Sequence, residues 1–245
     1  MTQNIYDQPA FFEGYSRLPR SVEGLAAAPE WPALKALLPD LAGCKVLDLG
    51  CGFGWFCRAA RAMGAAEVHG VDVSENMLAR ARDVTTDEAI SYAREDLEQI
   101  TLPPAAFDLV YSSLTLHYLE KLERLMAEVS RSLVPGGRLV FSAEHPIYTA
   151  PSAPGWTVDA AGRKVWPVDG YLAEGPRTTD WLARGVIKQH RTIGTYLNLL
   201  IGLGFTVTHV EEWGPTAGQI AAQPALAVER ERPAFLLVAA QKGAG

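Results

Sequence analysis

Nine residues, Val46 to Gly54 (VLDLGCGFG), constrain this chain more than any others. They read as a short buried strand that carries an acid, followed by three glycines on alternate positions that run into a helix. Glycine is required where a backbone turns sharply or must come close to a ligand with no Cβ between. In open α/β sheets such a turn lies at the carboxyl ends of the strands, where ligands bind. The spacing is G-x-G-x-G, with Trp55 where a dinucleotide fingerprint has its third glycine, so a pyrophosphate loop fits less well.

The chain around this loop alternates short apolar runs with helical patterns, the signature of βαβ units. Strands are predicted at Lys45–Leu49, Glu67–Val71, Ile90–Arg94, Phe107–Ser112 and Arg138–Ala143. Ser74 and Glu75 predict a helix start after the second strand. Leu122, Leu125, Met126, Val129 and Leu133 recur at helical spacing, and Pro135-Gly136-Gly137 ends that pattern. Further on, Ile193, Tyr196, Leu197 and Leu200 predict another amphipathic helix. FTVTHVEEW and PAFLLVAAQ then read as two strands with no good helix between them, which predicts an antiparallel pair.

Two stretches lie outside this alternation. Residues 1–40 form an N-terminal flank that can pack on the sheet or close over a ligand. Residues 146–187 fit neither period, are punctuated by prolines, and carry Trp156, Trp166 and Trp181, so they are expected to cap the sheet's C-terminal edge. The whole of 1–245 is taken as one domain.

Composition narrows the function classes. With 22 Lys+Arg against 28 Asp+Glu the net charge is −6, which argues against a partner bound through its phosphate backbone. No run approaches a membrane span, and the first twenty residues lack a secretory pattern, so a cytoplasmic protein is expected. Cys44, Cys51 and Cys57 have neither disulfide nor zinc spacing, and no metal is expected.

The order of motifs resembles class I S-adenosylmethionine-dependent methyltransferases, in particular the small-molecule "type 11" branch. The resemblance covers residues 40 to 242 and implies a Rossmann-like, doubly wound seven-stranded mixed sheet in the order 3-2-1-4-5-7-6, with one antiparallel strand. It implies that Asp72, in HGVDVSENML, accepts hydrogen bonds from both ribose hydroxyls, and that Asp96, in YAREDLEQI, lies near the adenine amino group. Asp48 would support the loop and the methionine end. Gly50, Gly52, Gly54, Val73, Met77, Leu97, Ser112, Leu114 and His117 complete the implied cofactor surface, and Tyr15 and Arg20 of the flank would close over it. Read without the family, Asp72 is a helix N-terminal acid, Asp96 an N-cap and Asp48 a loop acceptor.

Methyl transfer from a sulfonium is an in-line displacement that depends on alignment and exclusion of water, helped by a base when the acceptor is a hydroxyl. His145 follows a strand at the active edge and His190, in KQHRT, starts the helix after the insertion; both are the expected acceptor-pocket groups, one of them the base. His69 and His209 fall inside strands. The insertion offers Trp156, Trp166, Trp181, Tyr148 and Tyr171 for an apolar or aromatic acceptor, and Arg163, Arg177 and Arg184 for an anionic one. Three rivals stand beside this reading: an NAD(P)-binding oxidoreductase, a nucleic-acid methyltransferase and a non-catalytic S-adenosylmethionine-binding protein. The second lacks its Asn/Asp-Pro-Pro-aromatic tetrad, since Ser112-Ser113-Leu114-Thr115 stands there.

Overall fold

The computed structural model describes residues 3–243. Seven strands form the main sheet: β1 (Lys45–Leu49), β2 (Glu67–Asp72), β3 (Ile90–Arg94), β4 (Phe107–Ser113), β5 (Leu133–Glu144), β6 (Phe205–Trp213) and β7 (Phe235–Lys242). Their spatial order is 3-2-1-4-5-7-6. β3, β2, β1, β4 and β5 are mutually parallel, and β7 runs antiparallel to both β5 and β6. Parallel strands are covered on both faces and so read as continuous apolar runs. In β1, Val46 and Leu47 point to opposite faces, and each enters a different core.

The helices supply the two covers. Helix α1 (Pro9–Ser16) and α2 (Trp31–Leu37) belong to the flank. Helix α3 (Trp55–Ala62) and α4 (Glu75–Asp83) give Phe56, Cys57, Ala60 and Leu78 to the core that holds Val46, Leu109 and Val140. On the other face α5 (Leu122–Ser132) and α6 (Ile193–Gly202) bury Leu125, Met126, Val129, Tyr196 and Leu200 against Leu47, Val110 and Phe141. Ser74 caps α4 as its sequence predicts, its Oγ accepting from the Met77 N–H at 3.1 Å.

Three segments depart from the sequence expectation. β5 begins at Leu133 rather than Arg138, because Leu133 already pairs with Phe107 across a register break in β4. The stretch between β6 and β7 holds a six-residue helix, Ala217–Ala222, closed by a capping box of Thr216 and Gln219; the pair is antiparallel all the same. Residues 146–187 are not irregular: they contain the helix Pro146–Thr149, a small strand pair at Thr157–Val158 and Lys164–Val165, and a hairpin of Gly175–Trp181 with Ala183–His190. The hairpin runs three residues beyond the expected boundary. Its first arm, GPRTTDW, alternates between half-buried and exposed with no fully buried face, so no apolar period marks it in the sequence.

The flank joins this hairpin. Gln3 accepts from the Ile187 N–H and donates to the Gly185 carbonyl, each at 2.9 Å. Ile5, Phe11 and Val186 are buried together, with Tyr6, Tyr15, Tyr118 and Trp181 around them. Among the described residues no helix is long and apolar enough to cross a membrane, and no cluster of His, Cys, Asp and Glu could hold a metal ion. Cys44, Cys51 and Cys57 are free thiols.

Leu125 is fully buried where α5 meets the sheet. Leu125→Ala is expected to cost about 3 kcal/mol through lost burial and an unfilled cavity. Urea unfolding should show this as a lower midpoint with an unchanged slope.

Candidate active site

The glycine loop is tied down before any ligand is considered. The Gly50 and Cys51 N–H groups both donate to the Val71 carbonyl, at 2.8 and 3.0 Å, so the end of β2 holds the turn that leaves β1. Gly50, Gly52 and Gly54 all have positive φ, and they differ in what surrounds them. A Cβ on Gly50 would lie 2.2 Å from Thr115 Oγ1 and one on Gly54 2.1 Å from the Tyr92 hydroxyl, whereas one on Gly52 would meet nothing within 4 Å. Two glycines therefore serve packing, and Gly52 leaves open space.

That space belongs to a cavity of about 430 Å³. Of the expected cofactor residues, Asp48, Gly50, Gly52, Asp72, Val73, Met77, Leu97, Leu114 and His117 line it, as do Tyr15 and Arg20 from the flank. Three others fall outside the wall. Gly54 is buried under Tyr92. Ser112 is buried and donates to the Leu49 carbonyl at 2.9 Å, while its neighbour Ser113 faces the cavity. Asp96 organises the turn after β3, accepting from the Glu98 N–H at 3.0 Å and the Gln99 amide at 3.2 Å, directly before Leu97 on the wall.

Asp72 ends β2 with both carboxylate oxygens aimed at backbone donors: Oδ2 takes the Gly52 N–H and Oδ1 the Ser74 N–H, each at 2.9 Å. A carboxylate has about four lone-pair sites, so Asp72 keeps acceptor capacity for a ligand hydroxyl beyond its backbone bonds. Burial raises the Asp72 pKa, and the Ser74 and Gly52 hydrogen bonds oppose it. Asp48 is fully enclosed; burial pushes its pKa up to about 7, against a hydrogen bond from the Cys57 thiol at 3.3 Å, and the nearby Asp72 charge adds to the rise. Beside Asp72, Val73, Met77 and Leu97 give an apolar slot. A carboxylate at the cavity wall, an open glycine and an apolar slot are a donor set and shape that suit a nucleoside.

At the other end of the cavity the insertion forms the wall. Trp181 and Tyr148 line it, together with Glu144 at the end of β5 and Arg232, three residues before β7. Lys188 binds Glu144 Oε1 at 2.5 Å. His117 accepts from the Glu144 N–H through Nδ1 at 3.3 Å, and burial lowers its pKa to about 4, so it is neutral. On the flank side, Arg20 holds the buried Glu30 at 3.0 Å.

The two expected acceptor-pocket histidines are elsewhere. His145 accepts the Ile147 N–H through Nδ1 at 3.0 Å as the N-cap of Pro146–Thr149, while its Nε2 meets Glu212 at 2.9 Å. His190 is pinned between the Thr149 hydroxyl and the Tyr171 carbonyl, both at 2.8 Å. Burial lowers the pKa of each, and neither lines the cavity. Adjacent residues at a strand end point to opposite sides, so Glu144 turns inward where His145 turns out. Two of the three expected anion-holding arginines are engaged, Arg177 with the Ala150 and Ala173 carbonyls and Arg163 with Asp159, and none of the three, Arg184 included, lines the cavity. Sequence reasoning missed Glu144, Lys188 and Arg232. The first stood beside His145 in SAEHP, whereas Arg232 belongs to no motif.

Known proteins share this fold. A family model described as "Methyltransferase domain", of the type 11 branch, matches residues 47–141. The crystal structure of an S-adenosylmethionine-dependent methyltransferase from Mesorhizobium loti is 58% identical, covers 89% of this chain and all of its own, and superposes with a TM-score of 0.87. A second such structure, from Listeria monocytogenes, is 41% identical over 88% of this chain and 99% of its own, with a TM-score of 0.80. A malonyl-[acyl-carrier protein] O-methyltransferase from Enterobacter lignolyticus is 42% identical over 110 residues, 45% of this chain and 43% of its own length. With the fold and the nucleoside-shaped end of the cavity already in place, the chain belongs to the class I S-adenosylmethionine-dependent methyltransferases of the type 11 branch, and S-adenosylmethionine is its cofactor.

Proposed function

We propose that this enzyme methylates a small-molecule acceptor bound under the insertion, by in-line displacement. The observation that carries this reading is the continuity of one cavity from the glycine loop to Trp181, Tyr148 and Glu144, which gives cofactor and acceptor a common enclosed space. A volume of about 430 Å³ suits small ligands rather than a polymer surface. S-adenosylmethionine supplies the activated methyl group. The chain's own residues bind, orient and exclude water. Asp72 would hold the ribose hydroxyls, the open face at Gly52 would admit the ligand to backbone distance, and Val73, Met77 and Leu97 would flank the base. Tyr15 and Arg20 would close the flank over it. The aromatic roof of Tyr6, Tyr15 and Trp181 would keep water from the transfer, which is governed by alignment. The malonyl-carrier relatives match less than half of each chain, so their acceptor is not carried over.

His145 and His190 are assigned as latches of the insertion, since each has both ring nitrogens bonded away from the cavity. His145→Ala and His190→Ala should each lower stability by about 1–3 kcal/mol, through loss of a buried ring and its hydrogen bonds. They should leave kcat/KM within about threefold once folded; a loss above about a hundredfold would restore a proton-transfer role.

The direct test is isothermal titration with S-adenosylmethionine and S-adenosylhomocysteine. Asp72→Ala should weaken both by at least about tenfold, the loss expected when a charged hydrogen-bonding partner is removed. Gly52→Ala should weaken both, and its positive φ should also lower the melting temperature by a few degrees, the effect of about 1 kcal/mol of backbone strain; unchanged affinity in the two variants would sink this assignment of the site.

Two buried groups impose opposite pH dependences. Neutral His117, with its pKa lowered from 6.5 to about 4, gives stability that is complete above about pH 6.5 and lost as pH falls toward 4. Neutral Asp48, raised from 3.8 to about 7, gives stability that is complete below about pH 4 and lost as pH rises through 7. Relative to wild type, Asp48→Asn should therefore steepen the rise in stability from pH 4 to 7 by about 4 kcal/mol, and His117→Gln should reverse it by about 3 kcal/mol. Urea titrations at fixed pH report both signs.

A further inference from the structure

The insertion end of the cavity contains two polar groups whose hydrogen-bonding capacity is unfilled. Glu144 Oε2 is buried and accepts no hydrogen bond, although Oε1 is held by Lys188. Arg232 is 4% exposed; its Nη2 meets Glu229 at 2.7 Å, while Nε and Nη1 are buried with no partner. Its guanidinium lies 4.2 Å from the Tyr148 ring centroid, 4.3 Å from Trp166 and 5.2 Å from Trp156, a box that fixes its plane. Buried arginine donors and carboxylate oxygens are costly unless something satisfies them, and in a cavity that something is water or a ligand that replaces it.

Chain topology explains why the two face one ligand. β7 runs antiparallel to β5, and Phe235, the first residue of β7, is the register partner of Glu144. Arg232 therefore approaches the same sheet edge from the opposite chain direction. Tyr148 is near both groups: the Arg232 guanidinium lies over its ring, and Lys188, bonded to Glu144, is 5.9 Å from its centroid.

We propose that Glu144 and Arg232 form the acceptor subsite, and that the acceptor is a small aromatic hydroxy or amino acid. Its O–H or N–H meets Glu144 Oε2, and its carboxylate meets the free Arg232 donors. This deepens the reading given above and rests on the acceptor lying under the insertion. An acceptor that offered a carboxylate as nucleophile would set a second negative charge against Glu144, which disfavours that class. Tyr148 and Trp181 supply the apolar walls for an aromatic body. In the transfer, a lone pair of the acceptor oxygen or nitrogen forms the bond to the methyl carbon. The carbon–sulfur bond breaks with its electron pair left on sulfur, and the acceptor proton passes to Glu144 Oε2 and then to water.

The test uses 4-hydroxyphenylacetate, 4-hydroxybenzoate and 4-aminobenzoate, each beside its primary amide, with S-adenosylhomocysteine formation as readout and cofactor affinity measured by titration. In the wild-type enzyme at least one acid should be methylated with kcat/KM at least about tenfold above its amide. Arg232→Gln should bring that ratio close to one, and Arg232→Lys should restore part of it; because acid and amide are compared in one preparation, the ratio is independent of the folded fraction. Glu144→Gln should lower kcat about a hundredfold or more with cofactor affinity unchanged. Equal use of acids and amides, a ratio that survives Arg232→Gln, or cofactor binding with no acid methylated would each overturn the subsite. Failure to bind the cofactor at all would overturn the broader reading instead.

Discussion

The Val71 carbonyl accepts two N–H groups at once, those of Gly50 and Cys51, and the site depends on that junction. Through it the end of β2 clamps the turn leaving β1, which sets Gly52 against Asp72 and leaves the carboxylate oriented by two backbone donors. Backbone donors have no rotamers to lose, so the orientation of Asp72 is as rigid as the sheet. The same junction forces the positive φ values of the loop, and the Thr115 and Tyr92 side chains fill the volume that side chains on Gly50 and Gly54 would need.

Charge is distributed along the cavity in compensated pairs. Arg20 answers Glu30, Lys188 answers Glu144 and Arg232 answers Glu229, while burial keeps His117 neutral and raises Asp48 to about 7. Ion pairs removed from water contribute little net stability, because desolvation offsets their attraction. Their presence in such number is therefore better explained by orientation than by stability. Where a pair leaves capacity unfilled, at Glu144 and Arg232, the enclosed space has polarity to offer an incoming molecule.

The glycine-loop end of the sheet was legible because its requirements are local. A strand, a glycine turn and a terminal acid must follow each other in sequence, and Val46–Gly54, Asp72 and Leu97 fall where the pattern put them. Side-chain direction was less legible: Ser112 rather than Ser113, and His145 rather than Glu144, differ from the cavity-facing residue by a single step along a strand, and each step reverses the face. The insertion was illegible for another reason. Its hairpin borrows apolar cover from Ile5 and Phe11, nearly two hundred residues away, so its own sequence needs no apolar period. Arg232 is bound into the site by β7 pairing and by three rings, a constraint without a motif.

The bond pair between Gln3 and the hairpin at Gly185 and Ile187 makes the roof of the cavity a seam between two chain segments, not a hinged flap. A flap swings on fixed ends, whereas a seam opens only when its two hydrogen bonds and the buried contact of Ile5, Phe11 and Val186 come apart together. Opening of the roof at this seam is thus a local unfolding event. Its cohesion is that of a small aromatic cluster, so the roof should loosen with temperature and denaturant before the sheet does.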